Sequence, residues 1–233
     1  MELSPVEALK RDAARAALEQ VRSGMVLGLG TGSTVAPLLD LLGQALAEGR
    51  LTDIVGIPTS IRTGREARQA KIELIGLAEV DRIDLTIDGA DEVSPELDLV
   101  KGMGGALLRE KMVAQASERL VIIADEGKAV ERLGTLSPLP VEVVDWGHGA
   151  HVKFMEAAGA EVSIRSMDDG IPLRTDNGNL VLDCRFPDGI EDPAGLEEAL
   201  RRRAGVVESG LFLGLADQAI LAAPSGVRTM ETG

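Results

Sequence analysis

Strands and helices alternate from Met25 to Ala124, the alternation breaks before Leu139, and the segments from there to Phe212 read βαββαβ. These observations predict an α/β protein in two parts. The larger part is expected to be a Rossmann-like parallel sheet with helices on both faces. The smaller is expected to be a ferredoxin-like βαββαβ (α+β) domain. Residues 1–130 and 214–233 are assigned to the α/β domain, and residues 131–213 to a small domain inserted near the C-terminal end.

Ser4-Pro5-Val6-Glu7 reads as a capping box with proline at the first helical position, so a helix starts there. Val6, Leu9, Ala13, Ala16, Ala17 and Val21 recur at helical spacing, and Gly24 ends the element. Met25 to Leu29 is a short buried strand, and Gly30-Thr31-Gly32-Ser33-Thr34 turns it into a helix running from Ser33 through Leu46. A strand from Asp53 to Pro58 follows, then a helix from Ile61 to Ala70 opened by Thr59-Ser60, then a strand from Ile72 to Ile75. Ile83, Leu85 and Ile87 alternate with Asp84, Thr86 and Asp88, the period of a pleated strand. After a glycine-rich loop, a helix carries Arg109, Glu110 and Lys111 on to Glu118, and Leu120 to Ala124 is again a strand.

The second part opens with a strand from Leu139 to Asp145, a helix from His151 to Ala158 and a strand from Ala160 to Ser166. A hairpin comes next, with Asp176-Asn177-Gly178 as its turn and Asn179 to Arg185 as its second arm. Asp192-Pro193 starts a helix through Arg203, and Val206 to Phe212 is a final strand of this part. Ala219 to Ala223 reads as a last buried strand that returns to the first domain.

The net charge is −14, from 24 basic and 38 acidic residues, which argues against nucleic acid and membrane as partners. A small anion can still bind where a pocket is locally positive. The single Cys184 excludes an intrachain disulfide and reads as a small apolar filler in a strand. With no long apolar run and no leader pattern, the expected location is cytoplasmic. His148 and His151 lie three apart without a cysteine or acid at ligand spacing, so they read as surface residues and no metal is expected.

Candidate chemistry gathers at the carboxyl ends of the predicted strands, where open α/β sheets bind ligands. Gly28 to Thr34 offers backbone N–H groups at a helix start and three hydroxyls, the makings of an anion cradle. It fits neither the dinucleotide nor the P-loop pattern, and glycine turns of this kind are common. Asp88-Gly89-Ala90-Asp91 puts two carboxylates at a strand end, although Asp88-Gly89 alone is also a hairpin signal. Lys101 precedes Gly102-Met103-Gly104-Gly105, and could equally close a strand. Arg109-Glu110-Lys111 has the look of a solvated helix face. Acids, a lysine and a glycine-rich turn are the parts of a proton-transfer site.

Taken in order, GLGTGST at Gly28, DGADE at Asp88, KGMGGALLREK at Lys101 and ADEGK at Ala124 resemble the ribose-5-phosphate isomerase type A family, as do LPVEV at Leu139 and TDNGN at Thr175. Met103 stands where that family often has glycine. The resemblance implies an aldose–ketose isomerase of the non-oxidative pentose phosphate pathway, interconverting ribose 5-phosphate and ribulose 5-phosphate without metal or organic cofactor. It puts the catalytic base on Glu110, the acid pair on Asp88 and Asp91, the active-site lysine on Lys101 and a further substrate lysine on Lys128. It puts the phosphate hydroxyls on Thr31, Ser33 and Thr34 with Lys10 as an added contact. Gly32, Gly89, Ala90, Gly102, Met103 and Gly104 complete the expected substrate contacts, and a homodimer or higher homo-oligomer is expected. The division of labour between Asp88 and Asp91 stays open. Rival readings are a related-fold sugar-phosphate deaminase, an acyl-CoA transferase, and a sugar-phosphate sensing domain that binds without turnover.

Overall fold

The structure, a computed structural model, describes residues 4–231. In chain order the first elements are helix α1 (Pro5–Leu18), strand β1 (Val26–Leu29), α2 (Ala36–Ala47), β2 (Val55–Pro58), α3 (Ile61–Gln69) and β3 (Glu73–Leu74). Then come β4 (Leu85–Gly89), β5 (Glu92–Val93), β6 (Leu99–Val100), α4 (Leu107–Gln115), β7 (Leu120–Asp125) and β8 (Leu139–Val143). The rest are α5 (Gly149–Ala157), β9 (Glu161–Ile164), β10 (Leu180–Arg185), α6 (Pro193–Arg201), β11 (Val206–Ser209), β12 (Leu211–Phe212), β13 (Gln218–Ala223) and β14 (Gly226–Glu231).

These elements form two compact units. The first holds the described residues up to Ala90, Arg109–Lys128 and those from Leu215 onward; the second holds Asp91–Leu108 and Ala129–Gly214. The expected division put residues 91–108 with the first unit, and its terminal residues 1–3 and 232–233 lie outside the described residues. The segment packs instead with the second unit for a local reason. Strand β6 pairs antiparallel with both β5 and β12, and the Glu92 carboxylate accepts the N–H groups of Gly134, Leu136 and Ser137.

The first unit is built on a seven-stranded sheet of order β14-β13-β7-β4-β1-β2-β3. Every neighbouring pair is parallel except β13 with the edge strand β14. Chain order runs outward in opposite directions from β1 and β4, so the switch point lies between those two strands, where α/β sheets bind ligands. Leu27, Leu29, Leu85, Ile87, Val121 and Ile123 share one apolar cluster with residues of α1 and α2. The other face is covered as well: Val113 of α4 packs with Ile57, which pairs with Gly28 between Leu27 and Leu29. Burying a side chain of this size contributes about 1.5–3 kcal/mol, so covering both faces is what holds the sheet. It also explains why the polar half of the β4 alternation is not solvated. Thr86 and Asp88 are both buried, and Thr86 Oγ1 lies 2.6 Å from Ser117 Oγ.

Helix α1 starts as its sequence requires, with Ser4 Oγ accepting the Glu7 N–H and Glu7 reaching back to the Ser4 N–H. Hydrogen bonding from the Ser4 hydroxyl, and then from the Ser4 N–H, holds the Glu7 carboxyl below the usual carboxylate range. Helix α2 begins later than its spacing suggests, because Val35 and Ala36 donate back to Gly32 O and keep Ser33 and Thr34 in a turn.

The second unit contains a four-stranded antiparallel sheet of order β11-β8-β10-β9, the ferredoxin-like arrangement, with α5 and α6 as its helices. Its core includes Leu139, Val141, Val143, Met155, Leu182 and Cys184. Burial pushes the Cys184 thiol up to about 12, so it is a filler rather than a nucleophile. The expected single strand from Val206 to Phe212 is broken at Gly210. There the chain leaves β8 for β6: Gly210 N–H bonds Pro140 O, Lys101 N–H bonds Gly210 O, and a Cβ at 210 would sit 2.2 Å from Lys101 O. His151, expected at the surface, is buried, with Nδ1 accepting from Arg203 Nε at 3.1 Å. That burial, with the Arg203 charge beside it, lowers its basicity.

Candidate active site

In the first unit the chemistry-bearing residues collect at the ends of β1 and β4. Asp88 is 1% exposed, and its Oδ1 accepts the N–H groups of Thr31 at 3.1 Å and Gly89 at 2.7 Å. The approach depends on Gly30, because a Cβ there would lie 2.1 Å from that same oxygen and 2.6 Å from the Asp88 Cα. Lys10 of α1 donates to Ser33 Oγ at 2.7 Å, which brings together two residues 23 apart. Thr34 packs beside Gly89. Among the described residues, the N–H groups of Gly32, Ser33 and Thr34 have no acceptor within the chain. A turn with a lysine at its side and three outward N–H groups can hold a phosphate.

Thr31 departs from its expected part. Its hydroxyl lies 2.7–2.8 Å from those of Thr59, Ser60 and Thr63, and its N–H is taken by Asp88. Thr59 and Thr63 in turn donate to the carbonyls of Leu29 and Gly30 at 3.0 Å. This hydroxyl cluster at the start of α3 turns the carbonyls of the glycine turn inward. Peptide planarity then turns the following N–H groups the other way. By pattern Thr59-Ser60 only opens a helix; the sequence signal for the cluster is the three hydroxyls of TSIRT, all of them buried.

Glu110 also belongs to the first unit. It lies in the first turn of α4 and is 4% exposed, beside an equally buried Lys111, so the solvated-face reading of this run is wrong. A carboxylate in a first helical turn is favoured by the helix dipole. Lys128 is half-buried in the turn that follows β7.

In the second unit, Lys101 follows β6. It is buried, and its ammonium stands 5.4 Å from the centre of the Phe212 ring. Gly102 and Gly105 both have positive φ, +105° and +77°, so the loop between them takes a course closed to most side chains. Asp91 Oδ2 accepts the Met103 N–H at 3.0 Å. Met103 and Gly104 are exposed. Thus Asp88 and Asp91, paired in sequence, have different jobs: one braces the Gly30–Thr31 turn, the other the Lys101–Gly104 loop. Ala90 lies between them, half-buried.

No cluster of three metal-ligating side chains occurs among the described residues. No helix among them is long and apolar enough to cross a membrane.

The sequence model for ribose 5-phosphate isomerase A (phosphoriboisomerase A) matches residues 55–226. The chain belongs to this family. The ribose-5-phosphate isomerase A of Chloroflexus aurantiacus is 50% identical over 232 residues, covering 100% of this chain and 97% of the relative. That of Gloeobacter violaceus is 52% identical over 226 residues, covering 97% and 96%. Among solved structures, a D-ribose-5-phosphate isomerase in complex with phospho-erythronic acid superposes with a TM-score of 0.95 at 39% identity, over 98% of this chain and 100% of that one. The ribose 5-phosphate isomerase of Plasmodium falciparum gives 0.93 at 38% identity, over 97% and 98%. As in these isomerases, the architecture is a mostly parallel sheet flanked by helices, joined to antiparallel sheets.

Proposed function

We propose that this chain is a cytoplasmic aldose–ketose isomerase interconverting D-ribose 5-phosphate and D-ribulose 5-phosphate. The observation that carries the reading is Glu110, an acid buried in a first helical turn, in a chain that matches ribose-5-phosphate isomerases from end to end. The complex of a structural relative with phospho-erythronic acid supports the substrate class. That ligand combines a phosphate with a carboxylic acid, and a planar carboxylate resembles the paired oxygens of an enediolate.

The net reaction moves one hydrogen from C2 to C1 and another from O2 to O1. In the proposed mechanism Asp88 opens the closed sugar ring by moving the proton between the ring oxygen and O1. Glu110 takes the C2 proton to give an enediolate, the O2 hydroxyl proton passes to the adjacent O1, and the same carboxyl returns its proton to C1, leaving a ketone at C2 and a hydroxyl at C1. The negative charge of that intermediate is met by the Lys101 ammonium. The phosphate takes the Gly32, Ser33 and Thr34 N–H groups, the two side-chain hydroxyls of Ser33 and Thr34, and Lys10. Thr31 supports this turn from behind, and Lys128 contacts the substrate.

The deciding assay is incubation with ribose 5-phosphate in excess chelator, with the ketose measured. Ketose forms at the undiminished rate if side chains carry the proton. Activity that EDTA abolishes and one added metal ion restores would overturn the reading.

Replacing both Ser33 and Thr34 by Ala is expected to raise KM for ribose 5-phosphate by about tenfold or more. Each hydrogen bond to a charged group contributes about 1.5–3 kcal/mol, and the backbone donors remain. Unphosphorylated ribose should be a poor substrate for the parent and respond little to the change. Equal turnover of ribose and its phosphate would refute the cradle.

We also infer a homodimer or larger homo-oligomer, supported by apolar side chains exposed on the second unit, with Trp146 91% exposed and Leu136 and Val144 also open. Light scattering at high micromolar concentration should give at least twice the chain mass; a monomer would refute it.

A further inference from the structure

We propose that Arg165 is a positioning residue that fixes the peptide planes of the Lys101–Gly104 loop, so that the Gly104 N–H is presented to the enediolate. This rests on the isomerase reading of that loop. Arg165 follows β9, 62 residues beyond Met103, and no motif marks it. Its Nη1 donates to Gly102 O at 2.8 Å and to Met103 O at 2.9 Å, while Nη2 lies 3.6 Å from the Met103 sulfur. The guanidinium is itself held by Asp183 of β10, through Nε to Oδ2 at 2.9 Å and Nη2 to Oδ1. The two side chains are only 10% and 16% exposed.

In a trans peptide the C=O and the following N–H point opposite ways. Fixing the Gly102 carbonyl on Arg165 therefore sends the Met103 N–H away from it, and that N–H is found on Asp91 Oδ2. Fixing the Met103 carbonyl does the same to the Gly104 N–H, which has no acceptor within the chain among the described residues. One guanidinium thus sets two consecutive peptides. The first is latched to Asp91, and the second leaves a donor available to a ligand. Gly104 lacks the side chain that would resist rotation; the Gly105 N–H closes the turn on Gly102 O at 3.0 Å, which fixes its ends but leaves the central 103–104 peptide plane to be set by Arg165. Without Arg165 the 103–104 peptide can rotate and present a carbonyl in place of its N–H. A carbonyl repels an enediolate. Because Asp183 offsets its charge, Arg165 acts on the loop's orientation more than on the net potential.

The aldose ground state carries no charge on the reacting oxygens, so the effect belongs to kcat. Removing one oxyanion donor costs about 10²–10³ in rate, and a rotating peptide still offers its donor part of the time, so Arg165→Met is expected to lower kcat about 30-fold. KM for ribose 5-phosphate should stay within about twofold, and inhibition by phospho-erythronic acid should weaken by about the same factor as kcat. Arg165→Lys keeps the charge but cannot reach two carbonyls and Asp183 together, so it should restore only part of the rate. Arg165→Met leaves Asp183 buried without its partner, which can unfold the unit. The double change Arg165→Met with Asp183→Leu removes that buried charge, and should keep the thermal midpoint near the parent's while showing the same kcat loss. A folded double variant with kcat within twofold of the parent, a rise in KM alone, or unchanged inhibition would each overturn the proposal. Glu110→Gln assayed in parallel separates the two claims. If that variant is inactive while the Arg165 variants turn over normally, only the role of Arg165 falls; if it is active, the isomerase mechanism falls.

Discussion

Glu110→Gln is expected to reduce kcat by about 10³–10⁴-fold, the upper part of the range for loss of a positioned general base. At 1.36 kcal/mol per decade this is about 4–5.5 kcal/mol of transition-state stabilisation. Gln preserves size and one acceptor oxygen but takes no proton at neutral pH. The group is buried, yet the exchange removes a charge rather than a volume, so no cavity opens in the α4 environment. Binding of phospho-erythronic acid, measured by calorimetry, should remain within about threefold, since the lost interaction belongs to proton transfer. A variant retaining more than about a tenth of the parental kcat would remove Glu110 from the mechanism, because base catalysis contributes at least about 10².

Glu92→Ala should destabilise the protein by about 4 kcal/mol, the second large effect. Glu92 ends the DGADE motif, yet the structure gives it no part in the candidate site. Its carboxylate is fully buried and accepts three backbone N–H groups: Gly134 at 2.5 Å, Leu136 at 2.6 Å and Ser137 at 2.5 Å. Ala leaves those donors facing an apolar methyl, and each unsatisfied buried donor costs about 1–3 kcal/mol. In a chain of this size that corresponds to a thermal midpoint lower by about 8–16 °C. Urea titration should show a lower midpoint with unchanged slope. A shift below about 1 kcal/mol, the level of an ordinary surface change, would mean that these donors find water instead.

The sequence by itself determined whatever is decided within a few residues or by period. The capping box of α1, the glycine-hydroxyl turn after β1, the alternation in β4 and the βαββαβ order of the second unit were all legible. The motif order also identified the family. Tertiary structure alone decided what distant segments bring to a residue. Burial of Glu110 and Lys111 could not be read from a run that looks solvated, because an amphipathic pattern does not say what packs on its charged side. Thr31 was expected to face a phosphate; its hydroxyl instead meets Thr59, Ser60 and Thr63 from the next βα unit. The sequence pattern does not show β5, β6 or β14, and it predicts one strand from Val206 to Phe212 where the structure has two. Two-residue strands carry too little period to see, an exposed edge strand lacks an apolar face, and the break at Gly210 exists because Lys101 and Pro140 close on it. Asp88 and Asp91 are chemically identical in sequence. They differ in what they hold, Thr31 and Gly89 for one and Met103 for the other, since a carboxylate's role depends on the N–H groups the fold brings to it. Arg165 left no local trace for the same reason: the loop carbonyls it holds lie more than sixty residues upstream, and only the folded chain makes them neighbours.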